Sequence, residues 1–135
     1  MSKLGLLKIH AKMAKTLNGN GENIEKCILH IRQNLSARIS VDQLAEIANL
    51  SPSYFFAVFK QRTGCSPITF INRLRMWRAC HLLNETDWSV KRIAATLGYK
   101  DQFYFSRLFK LIKGVAPTDY RSANSRNGTF DLQSV

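Results

Sequence analysis

Two stretches of the chain each carry two runs of apolar residues at helical spacing, separated by a short break. In the later stretch, residues 89–117, Ser89 precedes the first run as an N-cap and Gly98 ends that run. The apolar positions of the first run are Val90, Ile93, Ala94 and Leu97, and those of the second are Phe105, Leu108, Phe109 and Ile112. This spacing predicts a helix-turn-helix over about residues 90–113, although two amphipathic helices joined by glycine also occur as a plain core hairpin.

The earlier stretch, residues 40–67, repeats this pattern and predicts a first helix-turn-helix over about residues 41–63. Ser40, Val41, Leu44 and Ala45 match Ser89, Val90, Ile93 and Ala94 in register. After the turn the offset grows by one residue, and Tyr54, Phe55, Phe59, Lys60, Gly64 and Pro67 match Tyr104, Phe105, Phe109, Lys110, Gly114 and Pro117. Because the matched positions are caps, core residues and helix breakers, the repeat is of a supersecondary unit. Two such units in one chain could read two sites on one duplex without dimerisation.

The remaining apolar patterns predict a helix over residues 22–35 and a linker helix over about 67–83. The predicted fold class is therefore all-α, with about seven helices in two helix-turn-helix subdomains joined by a long central helix. A helix of that length spans about 25 Å. If the second helix of each unit reads DNA, this spacing would let the two helices enter successive major grooves about 34 Å apart. On the linker helix Arg73, Arg75 and Arg78 are either phosphate contacts or a solvated face.

The face of each second helix that lies opposite its apolar stripe is the candidate surface for reading DNA bases. In the first unit this face carries Ser53, Phe56 and Ala57, and in the second it carries Gln102, Phe103, Ser106 and Arg107. Glutamine suits adenine and arginine suits guanine, whereas Phe56 and Ala57 could touch thymine methyl groups. Phe56 could equally be an exposed residue or one that packs on the N-terminal segment. We therefore expect more of the hydrogen-bonded readout from the second unit.

Four residues are candidate phosphate contacts. Lys60 and Lys110 occupy equivalent positions one turn beyond the base-facing residues. Ser40 and Ser89 begin helices whose free amide groups could hold a phosphate.

The two tandem units, the linker helix and the run DQFYFSRLFKLIKGVAPTDYR at residues 101–121 resemble the C-terminal DNA-binding domain of AraC/XylS-type bacterial transcription regulators. The resemblance covers about residues 22–121 and is most specific in GYKDQFYFSRLFK, followed by a Gly-x-x-Pro step and Tyr120-Arg121. It implies sequence-specific binding of double-stranded promoter DNA, regulation of transcription in the bacterial cytoplasm, and RNA polymerase as a partner. Activation and repression both stay open.

Charge and residue content agree with a nucleic-acid partner. The formal net charge is +11 over 135 residues, which favours a polyanion such as nucleic acid or an anionic membrane surface. Cys27, Cys65 and Cys80 have no metal-type spacing and are expected to be reduced thiols. Cys80 and His81 are adjacent, so on a helix they point about 100° apart and cannot pair as nucleophile and base. No catalytic constellation, cofactor motif or metal spacing is visible, and we expect no enzyme activity, cofactor or metal.

The two ends of the chain are assigned by composition. Residues 1–21 read as a basic N-terminal segment or linker, as the end of a connector from a sensor domain, or as a membrane-binding helix that lacks aromatic anchors. Family members commonly carry a sensing or dimerising domain ahead of the DNA-binding one, so this chain is expected to be a monomer that could dimerise through such a domain. Residues 122–135 are expected to be a flexible tail. A non-specific or RNA-binding protein and a helical interaction module are the competing classes.

Overall fold

The computed structural model describes residues 21–126, which form seven α-helices and no strand. In chain order these are α1 (Gly21–Gln33), α2 (Val41–Ala48), α3 (Pro52–Thr63), α4 (Pro67–Glu85), α5 (Val90–Thr96), α6 (Gln102–Lys113) and α7 (Pro117–Arg126). The predicted all-α class is confirmed. Within the described residues the chain forms two compact units, the first comprising residues 21–33 and 39–70 and the second residues 34–38 and 71–126.

The core of the first unit is built by α1, α2, α3 and the first turn of α4. Its fully enclosed side chains are Ile24, Cys27, Ile31, Leu44, Ala45, Ala48, Phe55, Val58 and Phe59. The centre of the Phe59 ring lies 5.5 Å from that of Phe55 and 5.3 Å from that of Phe70, which it meets edge-on. Both are favourable aromatic geometries. The Cys27 thiol donates a hydrogen bond to the Leu44 carbonyl at 3.2 Å, and burial raises its pKa to about 11. Cys27 is therefore an inert packing residue.

Local capping explains where α2 and α3 begin and end. The Ser40 hydroxyl accepts from the Gln43 amide at 3.1 Å, and the Ser51 hydroxyl accepts from the Tyr54 amide at 3.3 Å. Pro52 stands at the first turn of α3, where it has no amide bond to lose. Asn49 ends α2 in the left-handed region at φ 58°. These contacts fix the turn between the two helices.

The second unit encloses one apolar cluster between α4, α5 and α6. Its members are Met76, Ala79, Cys80, Leu83, Ile93, Ala94, Leu97, Tyr99, Phe105 and Phe109. Gly98 forms the turn at φ 86°, the position that matches Asn49 in the first unit. A Cβ at Gly98 would lie 2.9 Å from the Arg75 guanidinium and 3.2 Å from the Leu35 carbonyl oxygen, so both the dihedral and the space require glycine.

Two arginines tie distant chain segments into the second unit. Arg75 donates to the Leu35 carbonyl at 3.1 Å and the Ala37 carbonyl at 2.7 Å, and its guanidinium lies 5.3 Å from the centre of the Tyr99 ring. Arg121 donates to the carbonyls of Leu83 at 3.0 Å, Thr86 at 3.2 Å and Trp88 at 2.6 Å. Arg121 thereby satisfies carbonyl groups at and beyond the end of α4.

Several sequence-based assignments need correction. Arg75, predicted as a phosphate contact or a solvated residue, makes the structural contacts just described. Leu35, the last residue of the helix predicted over residues 22–35, lies beyond the end of α1 and is buried in the second unit. Ile112 was placed in the core stripe, yet it is 37% exposed because it lies in the last turn of α6, past the enclosed Phe109.

The predicted ends also differ from the structure. Residues 122–126 are helical because α7 continues to Arg126, so they are not part of a flexible tail. Asn84 and Glu85 belong to α4, which is longer than the predicted linker helix. Gly21 begins α1, whereas the rest of the predicted N-terminal segment, residues 1–20, and the rest of the tail, residues 127–135, lie outside the described residues.

Candidate nucleic-acid interface

The predicted base-facing side of α6 is held outward by the core contacts on the other side of the helix. Phe105 and Phe109 are fully buried, and Asp101 caps the helix by accepting from the Phe103 amide at 2.8 Å. On the opposite side Phe103 is 66% exposed and Arg107 is exposed. Gln102 and Ser106 are half-buried at the edges of this face. All four predicted base-facing residues of the second unit therefore lie on one side of α6.

The corresponding side of α3 is exposed but poor in hydrogen-bond donors. Ser53 and Ala57 are exposed, and Phe56 is 44% exposed. The buried Phe55, Val58 and Phe59 hold the other side of α3 in the first core. The structure thus brings the three predicted residues of the first unit to one surface, and Ser53 is the one among them with a polar side chain.

Lys60 and Lys110 are exposed in the last turns of α3 and α6. Both helices end in the same way, because the amides of Gly64 and Gly114 each donate at 2.8 Å to the carbonyls of Lys60 and Lys110. The two lysines therefore have equivalent backbone environments in the two units.

Ser40 and Ser89 are exposed, and their hydroxyl oxygens act as helix caps. Ser89 accepts from the Arg92 amide at 3.1 Å, as Ser40 accepts from the Gln43 amide. Their proposed contact to phosphate stays a prediction.

The structure adds two lysines that the sequence analysis did not single out. Lys91 of α5 and Lys100 of the turn line one crevice together with Ala95, Tyr99, Asp101, Gln102 and Phe103. This crevice borders the predicted base-facing side of α6, and its two lysines outnumber its one acidic residue, Asp101. The signal in the sequence was weak, because both lysines lie between apolar positions where any solvated residue would also fit.

Cys80 and His81 are in different environments, although they are adjacent in sequence. Cys80 is buried, whereas His81 is exposed, with its ring 4.5 Å from that of Trp77 and its Nδ1 atom 3.8 Å from Glu85. Within residues 21–126 no group of three or more His, Cys, Asp or Glu residues could hold a metal ion. In the same range, no helix combines the length and the apolar content needed to cross a membrane.

Comparison with known proteins places this geometry in a family. A helix-turn-helix domain family matches residues 44–123. The MmsAB operon regulatory protein of Pseudomonas aeruginosa is 34% identical over 120 residues, which cover 89% of this chain and 39% of that protein. The lactose operon transcription activator of Staphylococcus xylosus is 31% identical over 106 residues, covering 78% of this chain and 38% of that protein. The chain thus spans about two fifths of the length of these relatives.

Two solved structures share the fold. The C-terminal domain of AraT, a response regulator from Geobacillus stearothermophilus, has a TM-score of 0.72 and 33% identity, with 75% of this chain and 84% of that chain covered. The DNA-binding domain of AdpA, a global transcriptional factor solved in complex with a target DNA, has a TM-score of 0.74 and 25% identity, with 77% and 94% covered. On these matches and on the two capped helix-turn-helix units, the chain belongs to the AraC-type helix-turn-helix family of DNA-binding transcription regulators.

Proposed function

We propose that this chain binds an asymmetric promoter site as a monomer, with α3 and α6 in successive major grooves, and thereby regulates transcription. The observation that carries the proposal is the repetition of the same capped reading helix in two compact units, each with an exposed face opposite a sealed core. A net charge of +11 supplies the attraction to DNA. Because the two units lie in one chain, a second copy is not needed to supply a second reading helix.

The two units are proposed to contribute unequally to sequence readout. Arg107 can form two hydrogen bonds with guanine, and Gln102 can do the same with adenine. Ser53, Phe56 and Ala57 of α3 offer one hydroxyl and two apolar side chains. Hydrogen-bonded base preference should therefore come mainly from α6, with Ser106 as a further donor or acceptor at the edge of its face.

Phosphate contacts are proposed to fix the register of each unit. The exposed Lys60 and Lys110 lie at matched positions, so each can contact the backbone beside the groove that its helix enters. Lys91 and Lys100 extend the cationic surface of the second unit. Ser40 and Ser89 stay predicted phosphate contacts through the amides at the starts of α2 and α5.

The biological setting is proposed from family membership. Promoter binding by a bacterial regulator implies the cytoplasm and RNA polymerase as a partner, and it implies no enzyme activity and no cofactor. The name of the Staphylococcus xylosus relative, a transcription activator, favours activation for this chain. Dimerisation, if it occurs, would come from a sensor domain outside the described residues.

Selection of bound duplexes from a random library tests this proposal directly. We expect two dissimilar motifs whose centres lie about 10 base pairs apart, as one helical turn requires. Sedimentation of the purified complex should give one chain per selected site. A palindromic motif with two chains per site would contradict the proposal.

Competition experiments separate this function from the alternatives. At moderate salt, unrelated duplex and RNA should compete poorly with the selected site. Equal competition by RNA or by any duplex would instead favour a non-specific nucleic-acid binder, and a lack of duplex binding at low salt would favour an interaction module.

A further inference from the structure

Serine and phenylalanine have exchanged places between the two reading helices. Given the register of the repeat, Ser53 of α3 matches Phe103 of α6, and Phe56 of α3 matches Ser106 of α6. The two positions are three residues apart, so both lie on the base-facing side of their helix. Each helix therefore presents one phenylalanine and one serine, in opposite order.

We propose that Phe56 and Phe103 each contact the 5-methyl group of a thymine. The opposite order of phenylalanine and serine on the two helices would then determine which base pair of each half-site carries that thymine. This inference rests on the proposed function, because it requires α3 and α6 to lie in major grooves. It adds a ligand class and a register to that function.

Neither phenylalanine serves the core of its own unit. The cores already enclose Phe55 and Phe59 in α3 and Phe105 and Phe109 in α6, all with 0% exposure. Phe103 at 66% and Phe56 at 44% exposure remain outside these cores. Their apolar surface is thus available to a partner.

The surroundings of Phe103 favour DNA over an apolar protein surface. Arg107 and Lys110 share its side of α6, and Lys91 and Lys100 line the crevice that Phe103 borders. The other exposed apolar residues of α6 lie on different sides of the helix: Tyr104 and Leu111 are about 100° from Phe103, and Ile112 is about 180° from it. Asp101 also lines this crevice, but the four cations outnumber it, so the surface around Phe103 suits a polyanion that carries isolated apolar groups.

Thymine presents such a group. In the major groove each base displays hydrogen-bonding atoms, and thymine alone adds a methyl group, which apolar side chains including phenylalanine contact. Uracil is identical at its pairing edge but lacks that methyl group. Substitution of uracil for thymine therefore isolates the contact without changing base pairing.

The register follows from helix geometry. Three residues correspond to about 4.5 Å along a helix, whereas successive base pairs are separated by about 3.4 Å. Moving the phenylalanine from one position of the pair to the other should therefore shift the methyl-sensitive thymine by about one base pair.

The test measures duplex binding by fluorescence anisotropy, with each thymine of the selected site replaced singly by uracil. The wild-type chain should lose affinity about fourfold at one thymine in each half-site, as expected for one methyl group removed from an apolar contact. Phe103→Ser should abolish the loss in the second half-site alone, and Phe56→Ser in the first alone. The double variant Phe103→Ser with Ser106→Phe should restore the loss at a neighbouring base pair.

Leu111→Ser is the matched control, since Leu111 is 81% exposed and lies off the base-facing side. In both half-sites it should leave the ratio of affinities for the thymine-containing and uracil-containing duplexes unchanged. Circular dichroism should show that every variant is folded. Equal binding of thymine and uracil at all positions, with sequence preference retained, would overturn this inference and leave the proposed function standing. Loss of all sequence preference in the wild-type chain would contradict the proposed function itself.

Discussion

Arg107 is the residue on which base preference should depend most. It is exposed on α6 opposite the buried Phe105 and Phe109, so Arg107→Ala should leave the fold intact. If its guanidinium pairs with a guanine, the variant should lose about 1–3 kcal/mol of binding free energy and relax preference at one base position. Binding to a panel of sites with single base substitutions measures both effects.

Ala57, which holds the matching position in α3, provides the control. Ala57→Gly removes a methyl group and could loosen α3 by up to about 1 kcal/mol, but it removes no hydrogen bond to a base. A uniform loss across the panel for Arg107→Ala would make Arg107 a phosphate contact. A larger loss of preference for Ala57→Gly would contradict the assignment of α6 as the main reader.

The turn residues Gly98 and Asn49 provide a second matched pair. Both have positive φ. At Gly98, in addition, two carbonyl oxygens and the Arg75 guanidinium lie 2.9–3.3 Å from the position that a Cβ would take. Gly98→Ala should lower the free energy of unfolding by about 2 kcal/mol, because left-handed strain and crowding combine. Asn49→Gly should change it by less than about 0.5 kcal/mol. Urea unfolding measures both, and equal effects would show that neither left-handed strain nor crowding at Gly98 is important.

At the scale of elements, Arg121 links α7 to the end of α4. Its three hydrogen bonds to the Leu83, Thr86 and Trp88 carbonyls are charge-assisted, and their loss leaves partly buried acceptors without this donor. Arg121→Gln should therefore cost about 2–3 kcal/mol of the free energy of unfolding. In a Trp77→Phe background, Trp88 fluorescence reports unfolding of this region alone.

Arg73 gives the control for that experiment, because it is an exposed arginine on α4. Arg73→Gln should change stability by less than about 0.5 kcal/mol. An equally small effect for Arg121→Gln would show that water replaces the guanidinium at the end of α4.

Some of these elements could be predicted from the sequence and others could not, depending on how far along the chain their determinants lie. The starts of α2 and α3 were predictable because their determinants, Ser40 with Gln43 and Ser51 with Pro52, lie within one turn. The role of Arg75 was not, since its acceptors in residues 34–38 lie about 40 positions away and leave no periodic signal. Residues 122–126 have a tail-like composition, yet they continue a helix that begins at Pro117. The exposed sides of α3 and α6 could be predicted because exposure follows from helical phase once the core stripe is known.

At the scale of the whole molecule, electrostatics should govern affinity. Duplex binding should weaken steeply with salt because bound lysines and arginines release counterions from DNA. Lys110→Ala should weaken binding to all sequences about equally and reduce the slope of log K against log salt by about one. Lys26 lies on α1, outside both helix-turn-helix pairs, so Lys26→Ala should leave the slope nearly unchanged.

A slope near zero for the wild-type chain would contradict the phosphate contacts altogether. Sequence-dependent loss in Lys110→Ala would instead make Lys110 a base reader. Titrations at several salt concentrations, on the selected site and on unrelated duplex, distinguish these outcomes.

Residues 34–38 belong to the second unit although the chain enters the first unit again at Ile39. The two units are therefore interleaved in sequence, and no single crossover point in the gene separates the segments that encode them. In a chimaera joined at Phe70, the Arg75 of one parent would have to bond to the pentapeptide of residues 34–38 of the other parent. Recombination that exchanges whole reading units between relatives must transfer this pentapeptide together with the C-terminal half, in two segments. If α3 and α6 read DNA as proposed, their preferences would change more readily by point substitution than by exchange of whole units.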